Sequence, residues 1–150
     1  MGGKLQFLLQ TVALECAQLQ LTDGRLFQQP MSPARVLSLR SDAELGERVD
    51  AFVARFGRLQ DTLGDKLLPE LLKNLAEPVG PALDNLGKAE RFGWLASVDG
   101  WLLVRKLRNR MIHEYVRDPG ELAQGLQAAH EAVPMLLHVA AQLAQAAARQ

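Results

Sequence analysis

The sequence predicts an all-α domain: an antiparallel (up-and-down) four-helix bundle with one extra short helix. Three observations predict it. Apolar residues recur every three or four positions through four long segments, which is the period of one helix face. Leu and Ala dominate a composition that is 48% apolar but only 5% aromatic, a mix better suited to helix-on-helix packing than to sheets. Pro30, Pro33, Pro78, Gly80, Pro81 and Gly93 punctuate the connections between the segments. The 150 residues are one domain's worth, so residues 1–150 read as a single helical domain that can bury a core.

The first helix is expected over residues 4–21, with Leu5, Leu8, Leu9, Val12, Cys16 and Leu19 on one face. Asp23 and Gly24 end it, and residues 22–41 read as a long loop. Ser41 or Asp42 caps the second helix, and Glu44 favours its N-terminal dipole. Val49, Phe52, Phe56, Leu59, Leu63 and Leu67 carry that helix to Pro69, whose missing N–H and clashing ring predict a kink or break. Gly57 and Gly64 lie seven apart and cost helix stability, which close approach of another helix would justify. A shorter helix follows over residues 83–91. Asp99 is placed to cap the third long helix, which ends near residue 116. Asp118 and Pro119 start the last helix, which runs to about residue 148 with a bend at Pro134.

Composition narrows the function classes. The first helix is broken by Gln6, Gln10, Glu15, Gln18 and Gln20, so it is no signal peptide, and no window is apolar enough for a bilayer. A cytoplasmic protein with no membrane association is expected. Cys16 is the sole cysteine; it reads as a small core residue and argues against a disulfide or zinc framework. His130 and His138 have no carboxylate or cysteine at metal spacing and read as structural or exposed, so no metal and no cofactor is expected. Trp94 and Trp101 read as core or interface anchors. Seventeen basic residues balance 17 acidic ones, so the whole surface is no electrostatic glove for nucleic acid. The distribution is uneven: residues 105–117 hold five basic residues and one acid, and residues 42–77 hold eight acids and five basic residues.

Within the basic stretch, RNRMIHEY at 108–115 is the part that packing does not explain. At about 100° per residue, Leu103, Val104, Leu107 and Met111 share one helix face and are expected in the core. A second face is centred on Arg105, Asn109, Ile112 and Val116, with Trp101 and Leu102 at its upper end. Arg108 and His113 flank that second face, about 140° apart. One core cannot bury both faces. The economical partner for the second is the same surface of another copy about a two-fold axis, which collects two arginines and two histidines in one cleft. A guanidinium can grip a phosphate and an imidazole can move protons near neutral pH. Such a set is able to cleave RNA by promoting attack of the 2′-hydroxyl on the adjacent phosphorus without a metal. Asn109 precedes His113 by one turn and can orient its ring, and Asp61 on the second helix is a candidate ion-pair partner for Arg108.

Arg108, His113 and Tyr115 together resemble the R-x(4–6)-H element of HEPN-domain proteins, and the tyrosine brings the match nearest to the HepT-like toxins. RLQD at 58–61, GDKLLP at 64–69, NLGKAE at 85–90, Trp101 and Arg105 resemble the same group, so the similarity covers residues 42–117. The resemblance implies a homodimeric, metal-independent endoribonuclease toxin of a type II toxin–antitoxin pair. It implies a minimal nucleotidyltransferase (MNT-type) antitoxin as partner and RNA as substrate. By position, Arg108 and His113 are then catalytic, Asn109, Arg105 and Asp61 supporting, and Tyr115 the hydroxyl that the antitoxin modifies with AMP. The competing reading is a non-enzymatic helical subunit that presents a substrate or an acceptor tyrosine to a nucleotidyltransferase. Retention of both Arg108 and His113 favours the enzyme, whereas zero net charge favours the competitor.

Overall fold

The computed structural model describes the backbone of residues 2–114 and 118–149, with side chains described for 2–111 and 118–149. Among these residues the chain is all-helical. Its helices are α1 (Gly3–Leu26), α2 (Pro33–Leu37), α3 (Ala43–Asp61), α4 (Leu68–Asn74), α5 (Ala82–Arg91), α6 (Val98–Glu114) and α7 (Pro119–Ala148). A 3₁₀ turn (Ser38–Arg40) follows α2, and a π-helical turn (Thr62–Leu67) joins α3 to α4.

Side-chain bonds fix how the long helices run. From Gly2 to Thr22 the chain meets successively earlier residues of the α3–α4 rod. Gly2 donates to Asn74, Lys4 pairs with Glu70, Glu15 accepts from Thr62, and Thr22 accepts from Arg55. The two are therefore antiparallel. On the other side of α3, Gly57 faces Arg108 and Gly64 faces Trp101, so α6 also opposes it. Along α7, Gly125 meets Met111 and Leu107 of α6, while Val139 and Leu143 border the same small space as Trp101. The apolar faces close on one core that includes Leu5, Leu19, Phe52, Phe56, Leu63, Trp101, Met111 and Leu126, each 1% exposed or less. Burying a side chain of that size stabilises the fold by about 1.5–3 kcal/mol before chain entropy is charged against it.

Several expectations are corrected. Asp23 and Gly24 do not end α1, which continues to a fully buried Leu26. The continuation has a tertiary cause. The Asp23 carboxylate lies 2.7 Å from Nδ1 of His130 on α7, and the His130 ring stacks on Phe27 with centroids 4.3 Å apart. Residues 22–41 are consequently not one long loop. Ser32 caps α2 by accepting from the Arg35 N–H at 3.1 Å, with Pro33 in the first turn where its missing N–H costs nothing. Asp42 caps α3 as expected, accepting from Leu45 at 3.0 Å.

Pro69 does not stop the second rod, which stays helical across it. The π turn widens the helix just before it, with the Leu68 N–H bonded to the Leu63 carbonyl one residue further back than in an α-helix. The wider turn accommodates the proline ring, and α4 then buries Leu68, Leu71 and Leu72. Asp99 does not cap α6 either; it lies inside the first turn. Ser97 accepts from the Gly100 N–H at 3.0 Å, and Glu90 of α5 accepts from the Val98 N–H at 2.7 Å. The last helix is assigned continuously across Pro134, which is exposed.

Candidate functional site

The rotation of α6 about its axis decides what each motif residue can do. The expected core face held Leu103, yet Leu103 is 65% exposed, and Trp101, expected on the second face, is 1% exposed. Trp101, Val104, Arg108 and Met111 form the inward line, with Val104 8% and Met111 1% exposed. Both helix sectors carry apolar residues, so period alone does not say which one turns in. Size does: the indole fills the space that Gly64 leaves open. A Cβ at Gly64 would stand 3.2 Å from Cζ2 of Trp101, and Gln60 Nε2 donates to the Trp101 carbonyl at 3.3 Å.

Two turns along, the same inward line carries Arg108. Its aliphatic stem crosses Gly57 so closely that a Cβ there would lie 2.7 Å from Nε and 3.3 Å from Cγ. Nη1 donates to Oδ1 of Asp61 at 2.9 Å, with side-chain exposures of 24% and 36%. Nε is buried and has no hydrogen-bond partner among the described residues. The guanidinium is therefore tethered at one end and carries a second donor that no described residue accepts from. This corrects the expectation that Arg108 sits on the rim of an open outer face, since its stem is tucked between α6 and α3. Gly57 and Gly64 supply the close approach that their spacing predicted.

A second pair repeats the arrangement one turn away. Arg105 Nη1 lies 3.6 Å from Oδ1 of Asp65, both side chains being more than a third exposed. Such a pair contributes at most about 1 kcal/mol, and its effect is to line up charge along the seam. Asn109, Lys106 and Arg110 are exposed on the outer side of α6. His113 lies on the same helix as Arg108, five residues on, but its side chain is outside the described residues, and Tyr115 is outside them altogether. The structure thus brings together Arg108 and Asp61, places Arg105 beside them on Asp65, and leaves Asn109 facing away.

Sequence reasoning missed Gln60, a buried side chain that anchors the Trp101 carbonyl, and the reach of Glu15 into the α1–α3 seam. Gln60 follows the buried Phe56 by four residues, and a polar residue in that phase is the signal that identifies it. Cys16 is half-buried beside Glu15. Burial, and secondarily the Glu15 carboxylate, push its thiol pKa up, which suppresses the nucleophilic thiolate. Among the described residues no group of three or more His, Cys, Asp or Glu could hold a metal ion, and no helix is long and apolar enough to cross a membrane. No protein-family model, curated protein or solved structure matches the chain.

Proposed function

We infer that the chain is a HEPN-type endoribonuclease toxin whose four long helices form an up-and-down bundle and which acts as a homodimer. The observation that carries the reading is Arg108. It is a guanidinium drawn into the α3–α6 seam over Gly57, oriented by Asp61 and still a quarter exposed, on the helix that also carries His113. A surface arginine has no need of such a seat. An arginine that must meet a phosphate in one geometry does.

In this reading the outer side of α6, with Leu103 exposed and Leu102 half-buried, meets the same side of a second copy, and the shared cleft receives RNA. His113 takes the proton of a 2′-hydroxyl as its oxygen bonds to the adjacent phosphorus. The phosphorus–O5′ bond breaks, and the 5′-oxygen leaves with a proton from the second copy's imidazole. Arg108 offsets the charge that builds on the phosphoryl oxygens. The products are a 2′,3′-cyclic phosphate and a 5′-hydroxyl end. A nucleotidyltransferase antitoxin that places AMP on Tyr115 adds bulk and negative charge near the cleft and closes it to RNA.

One observation favours the competing reading, a non-enzymatic subunit that offers Tyr115 to a nucleotidyltransferase. Asp61 and Asp65 neutralise the arginines that an RNA backbone would otherwise attract. Expression of wild type, Arg108→Ala and His113→Ala, with RNA cleavage assayed in excess chelator, separates the two. The enzyme reading expects cyclic-phosphate ends from wild type and a loss of about 10²-fold or more in each variant. Wild type and His113→Ala that cleave nothing and slow growth equally little would sink it.

A further inference from the structure

Helix α6 begins beside a groove that the ribonuclease reading does not use. One wall is the Phe92-Gly93-Trp94 turn between α5 and α6. Phe92 caps the C-terminus of α5, and Gly93 takes φ 79, a left-handed conformation that suits glycine. The chain then folds back on the helix: Gly93 donates to the Glu90 carbonyl at 3.1 Å and Trp94 to the Ala89 carbonyl at 2.9 Å. This closure sets two aromatic rings side by side, with centroids 4.9 Å apart and planes inclined by 38°. Trp94 is anchored, because it also borders the small internal space beside Trp101 and Leu143. Phe92 stays 45% exposed. The other wall is the end of α7, where Gln142, Gln145 and Arg149 follow at three- and four-residue steps and so share a face. Leu75, at the end of α4, also lines the groove, which encloses about 260 Å³.

We propose that this groove binds a single nucleobase, stacked on Phe92 and Trp94 and paired at its edge by the amides of Gln142 and Gln145. Size, charge and chemistry select that occupant together. The volume lies just below the range of about 300–1,000 Å³ for small-molecule sites, enough for one flat ring system and too little for a helix of another protein. Helices α4, α5 and α7 all end here, since Leu75, Phe92 and Arg149 are their C-caps, and each helix end carries about half a unit of negative charge. The Arg149 guanidinium opposes them. A free phosphate would meet three carbonyl ends and an alkylammonium would meet Arg149, so neither ion is favoured over a neutral ring. A base is neutral, offers two aromatic faces for stacking and carries donors and acceptors on its edge. A glutamine amide presents one donor group and one acceptor side by side, which is the complement of such an edge.

The base of a free nucleoside and an unpaired base of a single strand share this chemistry. The site is independent of the ribonuclease reading. His113 lies about 20 Å further along α6, and neither it nor Arg108 lines the groove.

The test uses the full chain and the emission of Trp94, with Trp94→Phe identifying the reporter against the buried Trp101. Adenosine, guanosine, cytidine, uridine and a 2′-O-methyl oligonucleotide, which cannot be cleaved through a 2′-hydroxyl, are titrated separately. At least one nucleoside should give a saturable quench that Trp94→Phe lacks. Phe92→Ala should weaken it about tenfold or more, the size of one base–aromatic stack, with circular dichroism unchanged. Gln142→Ala should weaken it as well and change the preference among bases. Tighter binding of the oligonucleotide than of its nucleoside would assign the site to a strand, and the reverse order to a free nucleoside. Arg108→Ala and His113→Ala should quench as wild type does, whether or not they cleave RNA. The proposal is overturned if no nucleoside or oligonucleotide quenches at millimolar concentration, or if Phe92→Ala and Gln142→Ala both bind as wild type. It is equally overturned if inorganic phosphate, tetramethylammonium or N-acetyltryptophanamide binds better than every nucleoside, or if Arg108→Ala abolishes the quench.

Discussion

The two ends of the α3–α6 seam use one device for opposite purposes. At one end Gly64 lets the helices close on a rigid indole that is fully buried; at the other Gly57 lets them close on a guanidinium that stays a quarter exposed. At the Trp101 end Gln60 donates to the Trp101 carbonyl, while its own Oε1 is buried without a partner among the described residues. The Arg108 end keeps a charge near water and leaves Nε unpaired among the described residues. The same glycine spacing therefore produces packing at one end and a held, incompletely satisfied cation at the other. What sits opposite the missing Cβ decides which.

Substitutions can pull the two ends apart. Trp101→Ala should have the largest effect, about 3–5 kcal/mol lost and a melting temperature lower by about 10 °C or more, measured by thermal unfolding. Gly64→Ala should cost about 1–3 kcal/mol, because the new methyl meets an aromatic ring that has no flexible end to move away. Gly57→Ala should change stability by less than about 1 kcal/mol, the better helix propensity offsetting displacement of a flexible side chain. In the ribonuclease reading it should nevertheless lose cleavage as Arg108→Ala does. If Gly57→Ala were the more destabilising of the two glycine variants, the contrast would be wrong.

The smallest effect concerns Cys16. Its thiol pKa is raised in the folded state, so the folded chain holds that proton when the unfolded chain has released it. That contribution to stability is complete below the unfolded thiol pKa and is lost as pH rises through the folded one. Iodoacetamide should accordingly label the folded protein several-fold more slowly than the denatured protein at pH 7.5. Equal rates would mean that the site is open.

Much of this fold was legible because the inner face of α1 follows one clean period and because Gly57 and Gly64 repeat at a spacing that only a neighbouring helix explains. The site was legible as residue types: Arg108 and its acidic partner Asp61 were both identified from their places on two helices. The rotation of α6 was not. Leu103 and Trp101 are both apolar and lie on different sectors, and only the space beside Gly64 determines which is buried. The end of α1 was hidden for a similar reason. Asp23 and Gly24 carry every local sign of a stop, and the helix continues because His130, more than a hundred residues away, binds Asp23 and stacks on Phe27.

A π turn is an α-helix holding one residue too many, and each position after it is rotated by about a quarter-turn or more from where an unbroken helix would put it. The rod from Ala43 to Asn74 is thus two helices spliced out of phase. Gly57 and Asp61 belong to the first phase, and Leu68, Leu71 and Leu72 to the second. Loss of a single residue from 62–67 would leave the α3 contacts with Arg108 in place while swinging the leucines of α4 out of the core. The splice acts as a phase adjuster: it allows the arginine seat and the α4 leucines to be set independently on one continuous helical rod.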